Sequence, residues 1–248
     1  MAARVAGGAR KETAMSGIVL HTIFDPLCGW CYGAAPLLEA ARGVPGLTVA
    51  LHGGGMMVGA NRRRVSPEWR QFVLPHDRRI AEVSGQPFGE AYFDGLLKDH
   101  GAVMDSAPPT TAVLAAEETA GSGLELLHRI QRAHFVEGRR IAEFPVLAEL
   151  AADIGLDADA FAAAYHRLEG AATDAHFQES RRLLAQAGGQ GFPTLALEEN
   201  GRLTVLDLGA YLGRPDAWRA RLSQAASSAA PAATQALACG PDSCVLPQ

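Results

Sequence analysis

The sequence predicts an α/β fold interrupted by a large all-helical insertion, on three observations. A β-branched apolar run, Ile18 to Phe24, stops at Asp25-Pro26 and leads into an alanine-rich helical stretch. Far downstream, Leu195 to Leu197 and Leu203 to Leu206 flank Asn200-Gly201, a strong hairpin signal because both turn positions tolerate positive φ. Between these regions helix caps and helical periodicity dominate, and every strand beyond the first two falls after them.

Composition narrows the class. The 248 residues are 48% hydrophobic and 20% charged, which suits one large globular domain or one domain carrying an insertion. With 27 acidic against 22 basic side chains the formal charge is −5, and all but two of the basic residues are arginine, spread without a stripe. A nucleic-acid partner held by phosphate neutralisation is excluded on that balance. No run approaches the ~20 apolar residues that cross a bilayer, so no membrane association is expected.

Element by element, residues 1–17 carry charges at Arg4, Arg10, Lys11 and Glu12 and lack an apolar h-region, so they read as a disordered extension before a second start at Met15. The expected location is cytoplasmic. After the first strand, Cys28 to Arg42 reads as one helix, and Leu47 to His52 as a second strand before Gly53-Gly54-Gly55. Residues 18–60 form the first part of the main domain and residues 61–187 the insertion. In the insertion Ser66-Pro67 caps a helix, Leu124, Leu127 and Ile130 share a face, and Pro145 opens a helix. Asp157 caps Ala158 to Arg167, and Thr173 caps a last helix that ends at Gly188. Residues 188–222 return to the main domain, with Pro193 opening the strand of the hairpin and Arg214-Pro215-Asp216 opening a helix to about Leu222. Residues 223–248 read as a flexible Ala/Ser/Gln/Pro-rich tail ending in a C-x4-C.

The four cysteines form two close pairs, Cys28 with Cys31 and Cys239 with Cys244. In a reducing compartment such pairs serve catalysis or metal binding rather than permanent cross-linking. Cys28 falls where a strand hands over to a helix, and the open N–H groups of a helix start favour a thiolate. Cys31, one turn on and more buried, is placed to attack a mixed disulfide formed by Cys28. Trp30, between them, is expected at the surface beside the nucleophile, where it meets substrate. Cys239 and Cys244 enclose Gly-Pro-Asp-Ser, a turn that suits an accessory redox pair on a flexible arm, although incidental thiols on a frayed tail read equally well. His21 and His134 sit in apolar patterns and read as satisfied core or interface histidines rather than proton shuttles, and Arg62-Arg63-Arg64 as a solvated loop.

Asp25-Pro26-Leu27-Cys28-Gly29-Trp30-Cys31-Tyr32-Gly33 resembles the active-site start of DsbA-family proteins, in particular their FrnE-like cytoplasmic branch. Gly188-Gly189-Gln190-Gly191-Phe192-Pro193-Thr194-Leu195 resembles the cis-proline segment of the thioredoxin fold, and Pro36 matches the proline that kinks the helix after the cysteines. The resemblance implies a thioredoxin-like fold split by the helical insertion. It implies a protein thiol–disulfide oxidoreductase or isomerase with Cys28 and Cys31 catalytic. Phe192, Pro193 and Thr194 would then meet an extended protein or peptide substrate, as Trp30 does. No cofactor is implied beyond the redox-active pair, with glutathione or the thioredoxin system as electron partner. The acid that thioredoxin-like proteins bury six residues before the first cysteine is replaced by Thr22, and Asp25 is a candidate substitute or a turn cap.

Two other readings stand beside this one. The branch that resembles kappa-class glutathione transferases carries serine at the first active-site position, which Cys28 disfavours. A zinc-binding or redox-regulated interaction module would pair Cys28 and Cys31 with Cys239 and Cys244.

Overall fold

The computed structural model describes residues 17–229. Residues 1–16 and the tail pair Cys239 and Cys244 lie outside the described residues. The main sheet has the order β2-β1-β5-β6, built from β1 (Ile18–Phe24), β2 (Leu47–Gly53), β5 (Thr194–Glu199) and β6 (Arg202–Val205). β1 runs parallel to β2, with Ile18 opposite Leu47, and antiparallel to β5, with His21 opposite Ala196. Its central position explains its apolar composition: Leu20 and Ile23 are fully buried although they point to opposite faces. The β5–β6 hairpin turns on Asn200 (φ 53°) and Gly201 (φ 77°), both in the left-handed region as the Asn-Gly pair predicts.

The helix expected from Cys28 to Arg42 is two helices, α1 (Gly29–Gly33) and α2 (Ala35–Arg42), broken at Ala34. Pro36 causes the break, since it has no N–H to give the Tyr32 carbonyl. That oxygen accepts from Gln86 Nε2 at 3.2 Å instead. The N-terminal dipole acting at Cys28 is therefore that of a single turn rather than a four-turn helix.

Between β2 and β5 lie α3 (Pro67–Ser84), α4 (Ala107–Ala120), α5 (Gly123–Phe135), α6 (Phe144–Asp153), α7 (Ala158–Leu168) and α8 (Ala171–Ala187). Ser66 caps α3 by accepting from the Trp69 N–H at 3.2 Å, and Asp157 caps α7 by accepting from Ala160 at 2.8 Å. Leu124, Leu127 and Ile130 form the buried face of α5.

Four further expectations are corrected. The insertion is not wholly helical, because β3 (Arg63–Arg64) and β4 (Val103–Met104) pair as a separate two-residue ribbon, too short for periodicity to reveal. Arg63 is thereby part of a ribbon, with its guanidinium 5.1 Å from the centre of the Trp69 ring. Thr173 is not a cap: α8 starts after Gly170, and the buried Thr173 hydroxyl donates to Leu168 O and pairs with Thr111 Oγ1, each at 2.8 Å. The terminal helix α9 (Pro215–Ala229) outruns the expected end at Leu222. Trp218, Leu222 and Ala225, at helical spacing, are buried where α9 meets α2, so packing carries the helix into sequence that reads as a tether.

Candidate active site

The end of β1 delivers Asp25, and the chain turns through Pro26-Leu27 so that the Cys28 N–H donates to Asp25 O at 3.1 Å. Cys28 is then the N-cap of α1, with extended backbone, and its carbonyl accepts from the Tyr32 N–H at 3.1 Å. Both cysteines are free thiols, Cys28 7% exposed and Cys31 3%. The Cys28 Sγ lies 3.5 Å from the carbonyl oxygen of Phe192, and the Phe192–Pro193 peptide is cis. The two motifs seen in the sequence thus meet at one sulfur.

Cys31 sits behind Cys28, where its Sγ accepts from the Asp25 N–H at 3.5 Å. Burial pushes its thiol well above the ordinary range, and the neighbouring Cys28 pushes it the same way. An inner thiol of this kind stays protonated until a mixed disulfide forms beside it.

Asp25 does more than shape the turn. Its Oδ1 accepts from the Leu27 N–H and the Ser106 hydroxyl, both at 2.9 Å, and its Oδ2 accepts from the Met56 N–H at 2.6 Å. Burial raises the carboxyl to about 6, against the opposing pull of those hydrogen bonds and of Arg181. Arg181, from α8, donates to the carbonyls of Gly54 and Gly55 at 2.8 and 2.6 Å, fastening the turn after β2. Thr22, where thioredoxin-like proteins place their acid, is fully buried with its hydroxyl unpartnered.

Phe192 rests on Gly54, where a Cβ would stand 2.1 Å from the ring, so only glycine admits the aromatic there. Thr194 is buried, and its hydroxyl donates to Gly191 O at 2.7 Å, which steadies the loop before Pro193. On the other side of Cys28 a cleft of about 460 Å³ opens between α1 and the insertion, walled by Trp30, Met56, Trp69, Phe72 and Tyr92. Trp30 lines it beside Cys28 and is half-buried; Phe72, 60% exposed, stands at its rim.

His134 is buried against Tyr92 and Phe135, and desolvation lowers its imidazole to about 4, so it is neutral; its Nδ1 has no hydrogen-bond partner, so it is a core histidine but not the satisfied one expected. His21 bridges the sheet, with Nδ1 2.9 Å from His52 Nε2 and Nε2 2.7 Å from Glu198 Oε2. Among the described residues no cluster of three or more His, Cys, Asp or Glu side chains could hold a metal ion. Asp77, Tyr92, Ser106 and Arg181 were not legible in the sequence as site residues, because each is brought to Cys28 or Asp25 only by the packing of the insertion.

A C-x-x-C cysteine pair at a strand-to-helix junction, facing a cis-proline loop, defines a thioredoxin-fold thiol–disulfide oxidoreductase. The chain belongs to the DSBA-like thioredoxin domain family, whose family model matches residues 19–211. It is similar to the cytosolic disulfide reductase DsbM from Pseudomonas aeruginosa at 59% identity and a TM-score of 0.81, covering 85% of this chain and 100% of that one. The same relative solved with GSH aligns at 57% identity and a TM-score of 0.78, covering 84% and 98%. A protein from Nitrosomonas europaea provisionally named a protein disulfide isomerase aligns at 26% identity and a TM-score of 0.69, covering 86% and 98%. Among curated proteins none matches the chain.

Proposed function

We propose that the protein is a cytoplasmic reductase of protein or peptide disulfides, with Cys28 as nucleophile, Cys31 as resolving thiol and glutathione as the electron donor. The observation that carries the reading is the Cys28 Sγ beside Phe192 O, with a deeply buried, high-pKa Cys31 behind it. The similarity to the reductase DsbM, and the structure of that relative with GSH, support the direction and the donor.

The thiolate of Cys28 attacks one sulfur of the substrate disulfide. A Cys28–substrate mixed disulfide forms, and the expelled substrate thiolate takes up a proton. Asp25, whose charge reaches Cys31, accepts the Cys31 proton; the Cys31 thiolate then attacks the Cys28 sulfur and releases the second substrate thiolate. The substrate has gained two electrons and Cys28–Cys31 is a disulfide. Two glutathione thiols return it to the dithiol and leave as glutathione disulfide. An extended substrate segment pairs with the backbone beside Pro193, flanked by Phe192 and Thr194, while Trp30 and the apolar cleft take side chains on the other flank.

The test is equilibration in glutathione buffers followed by thiol alkylation and peptide mass analysis. A Cys28–Cys31 potential near that of thioredoxin, about −270 mV, supports a reductase. One at about −180 mV or above replaces it with an isomerase or oxidant, and a pair that never cycles removes the reading.

A further inference from the structure

Asp77, on α3, is a buried carboxylate that the exchange steps above leave unused. It is 5% exposed, its Oδ2 accepts from the Tyr92 hydroxyl at 2.8 Å, and it shares the active-site cleft with Cys28. Its Oδ1 is seated on Gly29, the residue directly after Cys28: a Cβ at position 29 would stand 2.6 Å from Oδ1 and 2.9 Å from Ile80 Cδ1. The missing side chain of Gly29 is therefore what admits the carboxylate to the start of α1. The titratable and charged groups that line the cleft together with Asp77 are Cys28 at the start of α1, Tyr92 from the turn after α3, His134 from α5, Arg63 from β3 and His76 on its own helix, and of these Tyr92 and His76 act on its carboxyl. Among the described residues no arginine or lysine forms an ion pair with it. An asparagine would accept from Tyr92 equally well and would avoid burying a charge, so the packing alone does not explain an acid at this position.

We propose that Asp77 is a positioning residue that keeps the Cys28–Cys31 pair reducing, by placing a negative charge with no ion-pair partner against the turn that would otherwise stabilise the Cys28 thiolate. A stabilised thiolate favours the dithiol form and makes a pair oxidising; a neighbouring carboxylate opposes this and drives the pair to give up its electrons. The low-dielectric walls of the cleft strengthen the effect, and Gly29 makes the approach close enough for it to act. The inference rests on the reductase reading above and supplies its physical cause.

The experiment compares wild type, Asp77→Asn and Tyr92→Phe in glutathione buffers at about pH 8, where a raised carboxyl is still ionised. Ultraviolet absorbance of the Cys28 thiolate is the second readout. Asp77→Asn is expected to move the equilibrium about tenfold toward the dithiol, some 30 mV, and to raise the thiolate fraction at neutral pH. Tyr92→Phe breaks the hydrogen bond but keeps the charge, and is expected to stay with the wild type. If Asp77→Asn matches the wild type in both readouts, or if both variants shift alike, the role of Asp77 is overturned. A wild-type pair that does not equilibrate with glutathione at all overturns instead the function on which the role depends.

Discussion

The Sγ of Cys28 lies 3.5 Å from the carbonyl oxygen of Phe192, a residue 164 positions further along the chain. The whole insertion is threaded between them, so the proposed nucleophile and the loop proposed to present substrate to it come together only once the sheet has closed β5 onto β1. Mutations on either side of this contact separate chemistry from substrate docking.

Replacing Cys28 by serine abolishes disulfide exchange, because the buried Cys31 thiol cannot substitute as nucleophile. Cys31→Ser keeps the attack and loses the resolution, so it accumulates a covalent complex through Cys28. Insulin reduction and non-reducing electrophoresis distinguish the two. A Cys28→Ser variant with normal turnover refutes the assignment.

Gly54→Ala drives a methyl into the Phe192 ring, 2.1 Å away, and must displace the loop that carries Pro193. A loss of roughly 1–3 kcal/mol in stability follows from overpacking. Substrate affinity should fall with it, read as a rise in KM for a peptide disulfide, while the small thiol glutathione still reduces the Cys28–Cys31 disulfide.

Ser106 connects the insertion to the site, donating to Asp25 Oδ1 at 2.9 Å and accepting from the Met57 N–H at 3.0 Å. Ser106→Ala leaves both partners short of a hydrogen bond inside the protein. The expected cost is about 1–3 kcal/mol in denaturant unfolding. Loss of a donor that favours the ionised form also raises the Asp25 carboxyl further above 6, visible as a shift of the acid limb of the pH–rate profile to higher pH.

Asp77→Asn has a pH-dependent effect on stability, with a sign set by burial. Burial raises the Asp77 carboxyl from 3.8 to about 6, so the folded state holds a proton that the unfolded chain releases between those values. The stabilising contribution of the acid is complete below about 4 and is lost as pH rises through 6. Relative to wild type, the asparagine variant is therefore more stable at neutral pH, by about 1–3 kcal/mol, and the difference shrinks toward pH 4. Thermal unfolding across that range checks it; a constant difference contradicts the linkage.

Much of the architecture was legible because its signals are local. β1 matches its apolar run residue for residue, Ser66 and Asp157 cap the helices they precede, and Asn200-Gly201 makes the hairpin turn. The structure departs from local preference where neighbours override it. Tyr32 gives up its helical hydrogen bond to Pro36 and finds Gln86, Thr173 is recruited by Thr111 and Leu168, and α9 is prolonged by what it packs against.

The sequence by itself determined the chemistry: two thiols at C-x-x-C spacing after a strand, and a Phe-Pro loop before a hairpin, because nucleophile type, spacing and turn preference are written in consecutive residues. Only the tertiary structure decided what surrounds those thiols. Asp77 reaches Gly29, Ser106 and Met56 reach Asp25, and Arg181 reaches Gly54 and Gly55, all across gaps of tens of residues or more. Burial and charge at a sulfur depend on which groups lie within a few ångströms of it in space, and that proximity comes from packing the insertion against α1, which no local pattern encodes.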